Sequence, residues 1–84
     1  MIRWHLIRWR DDAPTVVCAW MCSTGIDALS RAAVDCIAWD AHQRISITNG
    51  ERSWCGLVGQ IYTLGTDGQW LGATPAEAEA ISQR

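Results

Sequence analysis

The chain has no phenylalanine and no lysine, one asparagine, two prolines and a single tyrosine. Its aromatic bulk therefore rests on Trp4, Trp9, Trp20, Trp39, Trp54 and Trp70. Tryptophan is large and carries one polar N–H, and six of them are more than a small core readily hides, so one or two are expected at the surface. All positive charge lies on seven arginines, whose planar guanidinium stacks on rings and forks onto carboxylates, which an ammonium does not do. Missing lysine and phenylalanine beside eleven alanines also bears the mark of GC-rich codons.

No apolar run approaches the roughly 18 residues that a membrane span requires. The start Met1-Ile2-Arg3-Trp4-His5 lacks the apolar core and small-residue cleavage site of a secretory leader. A cytoplasmic protein is expected, with no membrane partner. There is no P-loop, no G-x-G-x-x-G and no C-x-x-C pair, so neither phosphate cradles nor close-spaced zinc ligands are signalled. Cys18, Cys22, Cys36 and Cys55 are read as reduced, buried thiols, as befits a cytosolic chain. On one strand Cys18 and Cys22 would stand roughly 13 Å apart, too far for a shared zinc or a disulfide.

What is present is an ordinary globular composition, 49% hydrophobic and 19% charged over 84 residues, which predicts one α+β domain spanning 1–84. The net charge is −2 and uneven: residues 1–10 hold three arginines and no acid, while residues 11–84 set four arginines against nine acids. An acidic chain lacks the positive surplus of a general nucleic-acid binder, which argues against direct nucleic-acid binding.

Alternation predicts a first strand over residues 2–10 whose phase slips near Leu6-Ile7. A bulge there would place Arg3, His5, Arg8 and Arg10 on one face as a basic stripe; a straight strand would leave both faces half buried. Asp11-Asp12-Ala13-Pro14 is a turn. Thr15 to Cys22 follows, apolar on both sides and read as a central strand antiparallel to the first. Thr24 caps a helix expected over 25–38 or somewhat further, with Ile26, Leu29, Ala33, Cys36 and Ile37 as its apolar stripe and Asp27, Arg31 and Asp35 on the solvated side.

Residues 44–48 and 52–55 form a hairpin around Asn49-Gly50, where a type I′ turn would need positive φ at both positions. Gly56 and Gly59 suggest a bulge or bend. Gln60 to Leu64 reads as a strand, and Thr66-Asp67-Gly68 turns into a further strand at Gln69–Leu71. Thr74-Pro75-Ala76-Glu77 starts a short C-terminal helix running to about Gln83. The order is an antiparallel sheet of about five strands, β-β-α-β-β-β plus the C-terminal helix, with one main helix packed on one face. One helix covers one face, so the other is expected to be solvated or a contact surface.

No catalytic, metal or cofactor site is expected. A Cys55 nucleophile with His5 or His42 would need a meeting that no spacing specifies. Binding is favoured instead, since tryptophan and arginine concentrate energy at interfaces. The candidate contact residues are Arg3, Arg8, Arg10, Asp11, Asp12, Trp39, Trp54, Trp70, Glu77 and Glu79. Three binding classes remain: an inhibitor of a larger assembly, an interaction domain of unrelated purpose, and a single-strand nucleic-acid binder using the Arg/Trp-rich first strand.

The two-strand start Ile2–Cys22, the helix from Ile26, Arg44-Ile45-Ser46-Ile47-Thr48-Asn49-Gly50 and Thr66-Asp67-Gly68-Gln69-Trp70 together resemble, as an architecture, small phage-encoded anti-CRISPR proteins acting on type I systems. Those proteins share no signature, so the resemblance transfers no residue role, and the helix from Thr74 departs from the simplest of them. It implies a cofactor-free, non-enzymatic inhibitor, monomer or homodimer, in the cytoplasm of a bacterial host. Its partner would be a Cas subunit of a type I effector complex, and binding would block target DNA or nuclease recruitment.

Overall fold

The computed structural model describes residues 1–63 and 67–83. Its frame is a five-stranded sheet in the order β2-β1-β3-β4-β5, every neighbouring pair antiparallel. The strands are β1 (Ile2–Arg10), β2 (Ala13–Cys22), β3 (Arg44–Thr48), β4 (Arg52–Leu57) and β5 (Gln69–Gly72). Helix α1 (Gly25–Asp35) follows β2, the single turn α2 (Val58–Ile61) follows β4, and α3 (Pro75–Ser82) ends the chain. The α+β class, the antiparallel sheet and the element order agree with the sequence reading.

Several details differ from it. Strand β2 is not central: it pairs with β1 alone and forms one edge of the sheet. Its proline explains the placement, because Pro14 has no N–H to give a second neighbour. The register break between Leu6 and Ile7 is also on β2, where Cys18 pairs with Leu6 and Val16 with Ile7, leaving Val17 as the extra residue. Strand β1 itself runs straight, as its unbroken pairing with β3 from His5 to Arg8 shows. The expected basic stripe is consequently split: Arg3 and His5 fall on one face, Arg8 and Arg10 on the other.

The hairpin at Asn49-Gly50 is wider than a type I′ turn. Only Gly50 has positive φ, at 95°; the Asn49 carboxamide oxygen instead accepts from the N–H groups of Glu51 and Arg52 at 2.9 and 2.8 Å. Residues 58–61 are a helical turn and not the strand expected from Gln60 onward. The Gln60 side chain holds that turn by accepting from the Leu57 N–H at 2.7 Å, and Val58 and Gly59 donate to Gln43 and Ala41. The rest of that expected strand, at Leu64, and the start of the turn at Thr66 lie outside the described residues.

One face of the sheet carries the apolar core. Trp4, Leu6, Ile45, Ile47 and Trp54 cluster there with Ala28, Leu29, Ala32 and Cys36 of the α1 segment and with Val58 and Ile61. Small residues on α1 let it lie close to the strands. The helix stops at Asp35, short of the expected residue 38, and Ile26 and Ile37 of its expected stripe are exposed. Its Thr24 cap accepts from the Asp27 N–H at 3.2 Å, as expected. Trp54 is wholly buried, and Gly68 lies so near its indole that a Cβ there would enter the ring.

The second face is not open, which corrects the expectation that a single helix leaves it free. Thr74 caps α3 by accepting from the Glu77 N–H at 3.2 Å, Pro75 opens it, and the helix packs beside β2 over the face that bears Ile7, Trp9, Ser46 and Ser53. Among the described residues, no helix is long and apolar enough to cross a membrane.

Candidate functional site

Where the end of β1 meets the start of β3, alternation sets two arginine–indole pairs on opposite faces of the sheet: Arg8 is on the face of Leu6 and Ile45, and Arg44 on that of Trp9 and Ser46. Arg8 pairs across the strands with Ile45, so Arg44 and Trp9 are its near neighbours. The Arg8 guanidinium lies over the Trp39 ring at 5.0 Å from the centroid, and that of Arg44 over Trp9 at 4.3 Å. Such stacking is worth roughly 0.5–1 kcal/mol at an exposed site and more once desolvated. Gln43 ties the group: its carboxamide oxygen accepts from Arg8 Nε at 3.2 Å, and its nitrogen donates to the carbonyls of Trp9 and Arg44 at 2.7 and 2.8 Å. Two cations are thereby stacked on indoles at one rim of the sheet, one on each face.

Exposed Arg10 and the acids Asp11 and Asp12 continue this rim through the β1–β2 turn, where Asp11 takes φ 55°. Asp40 stands nearby and accepts from the His42 N–H at 2.7 Å, so the rim is mixed in sign and not a basic patch. A third pair, Arg52 over Trp70 at 4.7 Å, lies at the opposite end of the sheet, with Trp70 edge-on to Trp4 at 5.9 Å. Arg3 is exposed at that same opposite end, beside Met21.

Of the residues singled out in the sequence, Arg8, Arg10, Asp11, Asp12 and Trp39 lie at the first rim, where Glu79 shares a hollow with Asp12, while Arg3 and Trp70 lie at the opposite end of the sheet. Two do not reach a partner at all. Trp54 is a core residue at 0% exposure and Glu77 is 1% exposed beneath its own helix, so neither is a contact residue. Of the tryptophans, at least one or two of which were expected at the surface, none is fully exposed and three reach it in part. Trp4, Trp9 and Trp54 are buried, and Trp20, Trp39 and Trp70 are half-buried, each engaged by a neighbour. Trp20 donates its indole N–H to Asp35 at 2.9 Å, which takes Asp35 out of the purely solvated row expected for it. Arg44 and Gln43 were missed because each reads as an ordinary strand-edge polar residue; only tertiary pairing sets them against Trp9 and Arg8.

Glu77 organises a buried polar cluster. Its carboxylate accepts from the Ser53 hydroxyl and, at 3.5 Å, from that of Ser46, with the Cys55 thiol at 3.9 Å. The Ser46 oxygen in turn accepts from the Trp9 indole N–H at 2.8 Å. Burial pushes the Cys55 thiol up and the Glu77 charge adds to this, against opposing help from Ser46 and Arg44. The thiolate, which is the nucleophilic form, is thus disfavoured where a reactive cysteine needs it favoured. Cys36 is pushed up to about 12, mainly by burial and further by Cys18 and Asp35. All four cysteines are free thiols. Comparison with protein-family models, with curated proteins and with solved structures finds no match to this chain.

Proposed function

We propose that this chain is a non-enzymatic binding module that acts by stoichiometric contact through the Arg8–Trp39 and Arg44–Trp9 rim. One observation carries the reading: both guanidinium groups are already stacked on indoles and that of Arg8 is also bonded to Gln43, so less side-chain freedom is left to lose when a carboxylate-bearing surface docks on them. Arginine and tryptophan are the residue types most enriched at interface hot spots. In its specific form the partner is a Cas subunit of a type I CRISPR effector, in a bacterial cytoplasm, and the bound state blocks target DNA or nuclease recruitment. That form rests on the architectural resemblance alone.

The non-enzymatic part is supported by the chemistry of the buried cluster. Its serine hydroxyls and thiol face a carboxylate, and the thiol is held in its unreactive form. A single-strand nucleic-acid binder is less well supported, because base stacking needs open ring faces. Here guanidinium groups cover Trp9, Trp39 and Trp70.

The test is a pull-down with purified type I effector subunits at micromolar concentration. A complex is expected with the wild-type chain and at least tenfold weaker binding with Arg8→Ala/Arg44→Ala, with folding of the variant checked by circular dichroism. No complex with any subunit removes the inhibitor reading. A gel shift that weakens steeply as salt rises would favour nucleic acid.

A further inference from the structure

We propose that a hollow beside Arg8, on the α1 face of the sheet, seats one carboxylate side chain of a protein partner, held by Arg8, Arg10 and Thr15 against an apolar wall at Val17. The inference rests on the binding-module reading and names the chemistry that the Arg8 half of the rim accepts.

Strand pairing builds the seat. Arg8 and Arg10 are two residues apart on β1, so their side chains leave the same face about 7 Å apart. Thr15 stands directly opposite Arg8 on β2, and Ala13 opposite Arg10. Directly opposed side chains share a face at roughly 5 Å, which brings the Thr15 hydroxyl to the same place, while Ala13 is too short to fill the space before Arg10. Arg8, Arg10, Thr15, Val16 and Val17 line a hollow of about 360 Å³, room for one acidic side chain and part of the residue next to it. Arg8 is half-buried, stacked on Trp39, and its Nε donates to the Gln43 carboxamide at 3.2 Å, so its two Nη groups are left to meet a ligand. Arg10 and Thr15 are exposed, and Val17 is 38% exposed.

Charge chooses the occupant. Two guanidinium groups and a hydroxyl face the hollow, and among the described residues no acid lines it, so the ligand it fits is an oxyanion. Beside the β1–β2 turn the sign reverses: Asp12 and Glu79 line a second hollow with Pro14 and Ala76. A polyphosphate chain laid across the turn would meet those two acids. A protein segment can give an acid to the first hollow and a neutral or basic residue to the second, which is the complementarity this end of the sheet asks for. The wall at Val17 suits an aliphatic neighbour of that acid.

Nitrogen-15 NMR titration of the full chain with the blocked tripeptide acetyl-Ala-Glu-Val-amide tests the proposal. Saturable shifts are expected at the Thr15 and Val17 amides and at Nε of Arg8 and Arg10, with a Kd of the order of 1–10 mM, as a few charge-assisted bonds at an exposed rim provide. Arg10→Ala/Thr15→Val is expected to weaken binding about fivefold or more. Arg52→Ala, which removes the same charge at the opposite end of the sheet, should change it less than about twofold. The glutamine counterpart of the peptide should not saturate. Absence of saturation by the glutamate peptide overturns the proposal, as does an equal loss in Arg52→Ala, which would make the effect one of net charge. A phosphoserine peptide that binds about tenfold tighter than the glutamate peptide would make this a phosphate site and also overturns it. The seat and the reading beneath it fail separately. An effector subunit captured equally well by the wild type and by folded Arg10→Ala/Thr15→Val overturns the seat and leaves the binding module standing; saturation by the glutamate peptide with no subunit captured supports the seat and removes only the inhibitor form.

Discussion

On one face of the sheet, Trp54, Ile45 and Ile47 share a cluster with Leu29 and Ala32 of α1; on the other, Trp9, Ser46, Ser53 and Cys55 gather around Glu77 of α3. The first face is closed by apolar burial, so much so that the indole N–H groups of Trp4 and Trp54 find no partner among the described residues. The second is closed by hydrogen bonds, and there the Trp9 N–H does have its acceptor. Apolar closure is non-directional and scales with area, while polar closure is directional and leaves a costly charge if it is half dismantled. Both faces are used by the chain's own helices. In the proposed reading, contact with other molecules falls to the rim of the sheet.

The largest effect expected from testing this contrast is on the apolar face. Trp54→Ala should cost about 3–5 kcal/mol in urea unfolding, because it leaves a cavity at the centre of the core. On the polar face, Glu77→Ala should cost about 2–3 kcal/mol, since it strands the hydroxyls of Ser46 and Ser53. Replacing the whole group, as Ser46→Ala/Ser53→Ala/Glu77→Leu, should restore much of that loss, because no buried polar group is then left unpaired. Were the triple variant less stable than Glu77→Ala by the sum of its parts, the cluster would be contributing packing and not polar pairing. The smallest effect is pH dependence on the α1 side. Cys36 is raised from 9.0 to about 12, so the folded state holds a proton that the unfolded chain gives up above pH 9. Its contribution is complete below pH 9 and is lost as pH rises toward 12, at about 1.4 kcal/mol per pH unit. Cys36→Ala should flatten that part of the stability curve; an unchanged slope would assign it to other groups.

Local signals carried most of the fold. Thr24 and Thr74 announced their helices through capping, and alternation with Asn49-Gly50 placed the β3–β4 hairpin, because these effects act within a few residues. Pro14, read as part of the turn, lies inside β2, where it would have marked an edge strand. The run Val58-Gly59-Gln60-Ile61 resisted reading because four residues with apolar ends are too short to show a period, and its anchors, Gln43 and Ala41, are distant in sequence. The site was less legible than the fold. Glu77 in a first helical turn looks like an ordinary dipole-facing acid, and only its approach to Ser46 and Ser53, 31 and 24 residues away, makes it a buried bond acceptor. Arg44 was hidden in the same way, since stacking on Trp9 follows from strand order and not from spacing.

Whether the second face is closed decides whether the proposed contacts must lie at the periphery, and hydrogen exchange of the six indole N–H groups by nitrogen-15 NMR measures it directly. Trp9 is predicted to exchange as slowly as Trp54, shielded by Ser46 and α3. A Trp9 indole that exchanges like free tryptophan while Trp54 stays protected would show the second face open and contradict the account.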